Sequence, residues 1–199
     1  MSDDKIKTAV NNWLNFDIEQ SDALHLLERY PELLDITNFK RVYENLNIIK
    51  SLVGAKNGFK VLFSTPSVAN EKSSSLEEKV EYLRDVMKVD PIEVYKSEVF
   101  ARDLFKIKAR HVFMERLGMY VVSKKKKDED IEVSKNPKLY KIMDTSDKRF
   151  ATKVCHVTLE EYETFEQLYK KELLDAEEEK DKDDLSDDED DSSFTYYNH

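Results

Sequence analysis

The sequence predicts an all-α fold: a solenoid of short helical repeats, closed by C-terminal helices and followed by a disordered acidic tail. Three observations carry this. Glycine and proline are scarce, three and four in 199 residues, which suits helices better than the many tight turns of a β protein. Apolar residues recur at three- and four-residue spacing, with no alternating strand pattern of any length. And three stretches before residue 120 share one plan, at spacings of 35 and 31 residues, the scale of helical repeats.

The repeats run in order. "ALHLLERYPELLD" is followed by "FKRVYENLNIIKSLV", "GFKVLFSTPSVAN" by "LEEKVEYLRDVM", and "PIEVYKSEVF" by "LFKIKARHVFMERLG". Each is a short apolar segment, a break, then an amphipathic helix. Pro31 and Pro66 take equivalent places, and Ser97 falls where a third proline would. Proline ends a helix because it lacks an N–H and its ring clashes with the preceding turn. In the first repeat Phe39, Val42, Tyr43, Leu46, Ile49, Leu52 and Val53 form one stripe to be buried. Ser74 and Glu77 have the spacing of a capping box and predict a helix start. A helix pair cannot bury its apolar face alone, so stacking on the next pair is required.

Beyond Gly118 the pattern changes. Residues 119–135, with "VVSKKKKDEDIEVS", read as a charged loop, and 136–174 as two or three capping or partner-binding helices. There Thr158 and Glu161 suggest a second capping box, and Tyr162, Phe165, Leu168, Tyr169 and Leu173 line one face. The division expected is therefore repeats over 1–118, a loop over 119–135, helices over 136–174 and the acidic tail over 175–199.

Charge is segregated along the chain. Asp175 to Asp191 holds twelve acids and two lysines, which accounts for the whole net charge of −10. Lys96 to Lys127 holds ten Lys or Arg against Glu98, Asp103 and Glu115. Such blocks mark interaction segments or disorder; self-repulsion and little apolar surface predict disorder for the tail.

Several function classes find no support. His25, His111, His156 and His199 have no metal-like spacing to one another or to Cys155. No glycine-rich phosphate loop is present, and no nucleophile has a base at triad-like spacing. No cofactor is expected, and catalysis is not. His111 is expected in the core, and Cys155 as a neutral buried thiol, one residue that forms no intramolecular disulfide. No apolar run is long enough to span a membrane. The start, "MSDDKIKTAV", resembles neither a secretory signal nor a transit peptide.

The chemistry lies in "RDLFKIKARHVFMERLG". Arg102, Lys106 and Arg110 recur every four residues and form one ridge, with Leu104, Ile107, His111 and Met114 on the other side. A basic ridge of this kind, extended by Lys108 and Arg116, can track phosphates with salt-dependent and largely sequence-independent affinity. The alternative is an ordinary solvated face. Lys124, Lys125, Lys126 and Lys127 add a lysine cluster that grips phosphate unless the adjoining Asp128, Glu129 and Asp130 neutralise it. Phe150, Tyr162, Phe165, Leu168 and Tyr169 are candidate partner contacts, because large aromatics anchor interfaces, with core packing as the competing role.

"VYKSEVFARDLFKIKARHVFMERLGMY", then "NPKLYKIMDTSDKRFATKVCHVTLEEYETFEQLYKKEL" and the acidic tail, resembles the mitochondrial transcription termination factor (mTERF) family, nearest to the branch of its fourth animal member. The repeats share its looser "LLxxxPxLL" pattern at Leu26–Leu34. The resemblance implies a left-handed superhelix with a basic concave face for nucleic acid, located in the mitochondrial matrix. It also implies a non-catalytic partner of a Sun-family RNA 5-methylcytosine methyltransferase, acting on mitochondrial ribosomal RNA through its C-terminal part and serving ribosome assembly. The chain departs from the family in having about three repeats, which shortens the groove. Two other readings remain: a DNA-binding regulator of mitochondrial transcription, and a helical scaffold without nucleic acid.

Overall fold

The computed structural model describes residues 3–16, 18–122 and 136–186. Its ten α-helices, interspersed with 3-10 and π turns, contain no strand among the described residues, and the all-α expectation is met. After α1 (Asp3–Leu14) the predicted plan repeats three times. The first unit is α2 (Gln20–Arg29), a 3-10 turn at Pro31–Asp35 and α3 (Phe39–Val53). The second is α4 (Lys60–Ser64), a 3-10 turn at Pro66–Ala69 and α5 (Ser73–Glu81), which continues as a π turn over Tyr82–Val86. The third is α6 (Pro91–Val94), a 3-10 turn at Val99–Ala101 and α7 (Leu104–Arg116). Pro31 and Pro66 each open a 3-10 turn, where their fixed φ is tolerated and no N–H is required.

Residues beyond the loop form a fourth, abbreviated helix pair. It comprises α8 (Leu139–Met143) and α9 (Asp147–Arg149), the latter running on as a π turn over Phe150–Cys155. The long α10 (Leu159–Ser186) packs across this end, in contact with α7 and α9. It continues past residue 174, where the last helix was expected to stop. The alanine, glutamates and lysines after Leu174 are good helix formers, so charge alone was a poor guide to where the helix ends. Residues 187–199 of the expected tail lie outside the described residues, as do 123–135 of the expected loop.

The predicted stripe of α3 buries Val42, Leu46, Ile49, Leu52 and Val53, while Tyr43 is 59% exposed. The Thr158–Glu161 box forms: the Thr158 N–H donates to Glu161 Oε2 at 2.7 Å, and the Glu161 N–H to Thr158 Oγ1 at 3.2 Å. The Ser74–Glu77 box does not. Lys72 occupies the N-cap position, Ser73 Oγ donates to Asn45 Oδ1 at 2.8 Å, and Ser75 Oγ donates to Glu71 Oε1 at 3.0 Å.

A polar clasp joins each unit to the next. Trp13 Nε1 of α1 donates to the Leu33 carbonyl at 3.1 Å. Asn45 of α3 donates to the Val68 and Glu71 carbonyls at 2.7 and 2.9 Å. Lys79 of α5 donates to the Phe100 carbonyl at 3.2 Å while pairing with Glu71 at 2.6 Å. Arg110 of α7 donates to the carbonyls of Ile142 and Met143, and to that of Thr145 at 2.8 Å. Asn45, Lys79 and Arg110 are each the seventh residue of their helix, and all three are buried. The turns between helices leave carbonyls that no helix bond reaches. Buried carbonyls of this kind cost free energy unless a donor comes to them, and the clasp residues supply it.

Candidate nucleic-acid interface

The predicted ridge folds inward. Arg110 has 0% exposure, and its Nη2 pairs with Asp147 at 2.7 Å. Lys106 Nζ bonds Asp147 Oδ2 at 3.2 Å and also Glu166 Oε1. Arg102 donates to the Met143 and Thr145 carbonyls at 3.0 and 3.2 Å. The two guanidinium groups in effect cap the C-terminal end of α8, where free carbonyls and the helix dipole favour cations. Asp147, held below the usual carboxylate range by its bonds to Arg110 and Lys106 despite its burial, completes the cluster. This corrects the reading of Arg102, Lys106 and Arg110 as a phosphate track. A four-residue period shows that side chains share a face; what covers that face depends on residues more than thirty positions away.

The other predicted cations are dispersed. Lys108 sits 5.7 Å from the Tyr82 ring centroid. Arg116 forms a two-pronged pair with Glu172 at 3.1 and 2.6 Å, lying over the Phe165 ring. Lys124 to Lys127 lie outside the described residues. Among the predicted partner contacts, Phe150, Tyr162, Phe165 and Tyr169 are buried. They pack on one another and on Phe113 of α7, with ring centroids 4.8 to 6.3 Å apart. Those four are core residues, a second correction. Leu168 stays 58% exposed, and Leu174 of the same helix is exposed too. His111 and Cys155 are buried as expected, and burial pushes the Cys155 thiol up to about 11, which suits a neutral thiol.

A different basic surface emerges where the first helices of the units end. A cleft of about 330 Å³ is lined by Arg29, Tyr30, Lys60, Phe63, Tyr95 and Lys96, with Ser64, Ser97, Glu98 and Asp144. Each of the first three units contributes a cation and a ring from the segment before its inter-helix turn, at differing registers: Arg29 closes α2, Lys60 opens α4 and Lys96 follows α6. One tie closes the floor at every junction. The Tyr30 hydroxyl donates to the Phe63 carbonyl at 2.7 Å, Lys60 Nζ lies 5.3 Å from the Tyr95 ring centroid, and the Glu98 N–H donates to Asp144 Oδ1 at 2.8 Å. Arg29 in turn lies over the ring of Tyr30 at 5.3 Å. The cleft thus offers cations for phosphates, and three rings each covered on one face by Arg29, Lys60 or His25, on a floor cross-linked before any ligand arrives. The sequence carried a signal for it: Tyr30, Phe63 and Tyr95 recur at intervals of 33 and 32 residues, the repeat period itself.

No family model matches the chain. It is, however, similar to mitochondrial transcription termination factor 4 of Mus musculus. The two are 30% identical over 119 residues, which is 60% of this chain and 34% of the mouse protein. The chain therefore spans about a third of the length of that relative. That name places the mouse factor in mitochondria and in transcription termination.

Among the described residues no group of three or more His, Cys, Asp or Glu is placed to hold a metal ion. No described helix is long and apolar enough to cross a membrane. The chemistry on offer at the cleft is binding: three cations, three aromatic rings and two carboxylates on one surface.

Proposed function

We propose that this chain is a non-catalytic nucleic-acid-binding protein of the mitochondrial matrix, and that the cleft built from Arg29, Lys60 and Lys96 is where it holds RNA. The observation that carries the reading is that each of the first three units brings one cation and one aromatic ring to the same cleft. Phosphates pair with the three cations, and the rings of Tyr30, Phe63 and Tyr95 give bases a surface to stack on. The likeness to a mitochondrial transcription termination factor supports the compartment and the ligand class.

The finer proposal is a recruiting role. A Sun-family RNA 5-methylcytosine methyltransferase docks on the C-terminal unit and is brought to mitochondrial ribosomal RNA, in support of ribosome assembly. It rests on the family resemblance of Lys96 to Leu173. It is compatible with what that unit leaves exposed: Tyr140, Leu168 and Leu174, and the cations Lys148, Arg149 and Lys153.

Fluorescence anisotropy with labelled single-stranded RNA across a salt series tests the binding. The expected result is affinity that falls steeply with salt, with a log–log slope reduced by about 2 in an Arg29→Ala/Lys60→Ala/Lys96→Ala variant. An unchanged slope would remove the cleft from the reading. Tighter binding to duplex DNA than to RNA would instead favour a transcription regulator. Affinity capture from mitochondrial extract, repeated at high salt and after ribonuclease treatment, tests the partner. Recovery of the methyltransferase under both treatments is expected, and its loss with ribonuclease would show that RNA alone linked the two.

A further inference from the structure

The cleft is not uniformly basic, and a surface shaped only for phosphates would not be built this way. Glu98 and Asp144 close its far end, where the third unit meets the fourth. Carboxylates there repel a phosphate backbone and must be offset by something with hydrogen to give. The Glu98 N–H holds Asp144 Oδ1 at 2.8 Å, which fixes the carboxyl group and leaves Oδ2 as the free acceptor. Partial desolvation raises the Asp144 carboxyl above its usual range, and the nearby Glu98 carboxylate adds to this, while the residue stays open to the cleft. Next to it lie Lys96 for a phosphate and Tyr95 for stacking.

Resting on the reading of the cleft as a single-strand site, we infer that Asp144 and Glu98 select unpaired bases bearing an exocyclic amino group and discriminate against uracil. Cytosine, adenine and guanine each carry an N–H₂ that a carboxylate accepts. Uracil presents carbonyl oxygens at the corresponding positions, and its one Watson–Crick donor, N3–H, lies between two carbonyls that repel an approaching carboxylate. The same chemistry underlies acceptance of the cytosine amino group by Asp and Glu in base readout. Arg29 and Lys60 then fix the strand by its phosphates, which contributes affinity without regard to base. The cations and the carboxylates therefore have separable effects, one on affinity and salt dependence, the other on base preference.

Two fluorescein-labelled oligonucleotides, decacytidylate and decauridylate, test this by anisotropy on the full chain. The expected result is about ten-fold tighter binding of the cytidylate, lost in Glu98→Ala. Asp144→Asn is the more telling variant. Its Oδ1 can keep the bond from the Glu98 N–H, which turns the amide NH₂ toward the cleft and replaces an acceptor with a donor. The preference is then expected to reverse toward uridylate, a gain that a misfolded protein would not produce. Equal binding of the two oligonucleotides by the unaltered chain, or an unchanged preference in Asp144→Asn, overturns the inference. Either result leaves the cleft's salt-dependent binding standing. If neither oligonucleotide binds in a salt-dependent way, the single-strand reading falls, and this inference with it.

Discussion

Arg110 shows how far a residue's role depends on what the chain brings to it. Its guanidinium is enclosed among three backbone carbonyls, Asp147 and the Phe150 ring, 4.7 Å from the ring centroid. Arg110→Ala strands those acceptors and an acid in the interior. The expected cost is about 3–5 kcal/mol, read as a drop of about 10 °C in Tm. RNA affinity of the folded fraction is expected to keep its salt slope, since the side chain faces no solvent. His111 is the second buried polar residue with a measurable signature. The Tyr82 hydroxyl lies 2.8 Å from its Nδ1, Tyr120 packs edge-on, and Nε2 stands 3.6 Å from Glu115 with no hydrogen-bond partner. Burial lowers its pKa from 6.5 to about 4, so the folded protein holds it neutral while the unfolded chain protonates near 6.5. The stability this contributes is complete above the unfolded pKa and drains away as pH falls toward 4. Urea denaturation should lose about 2 kcal/mol between pH 7 and pH 5. His111→Phe should flatten that profile, and an unchanged slope would assign the loss to other groups.

At the level of the element, the second helix of every unit ends on a residue with positive φ. Gly54 and Gly118 do so at φ 81° and 67°, Lys88 and His156 at φ 51° and 59°. The two non-glycine ends follow the two π turns, Tyr82–Val86 and Phe150–Cys155. There the Val89 N–H closes on the Leu83 carbonyl at 3.1 Å, and the Val157 N–H on that of Ala151 at 3.0 Å. A left-handed conformation strains a residue with a Cβ and costs glycine nothing. Lys88→Gly and His156→Gly are each expected to raise stability by about 0.5–1 kcal/mol, checked by thermal melts of the single variants and of the pair. A loss of stability would mean that the side chains hold those ends through contacts. The helices themselves were legible, because a stripe such as Val42, Leu46 and Ile49 repeats with the helical period. The Thr158–Glu161 box was legible for a similar reason, being local. The Ser74–Glu77 box had the same spacing and failed, because Asn45 of the preceding unit engaged Ser73 and the N-cap fell two residues earlier, at Lys72. A capping motif competes with every other partner that the fold places within reach.

In the whole molecule, a period of 31 to 35 residues, a scarcity of glycine and proline, and helix-spaced apolar residues were enough to determine an all-α repeat architecture and its punctuation at Pro31 and Pro66. They suffice because helix formation and the burial of one stripe are governed by neighbours a few positions apart. Which cations face outward was decided by the tertiary structure alone. The fourth helix pair covers the face of α7 that carries Arg102, Lys106 and Arg110, and its free carbonyls and Asp147 bind them. Arg29, Lys60 and Lys96, inconspicuous in the sequence and spread over 68 positions, meet in one cleft because successive units stack in register. Charge and periodicity are properties of the chain; exposure belongs to the pairing of surfaces, and that pairing exists only after the units have stacked.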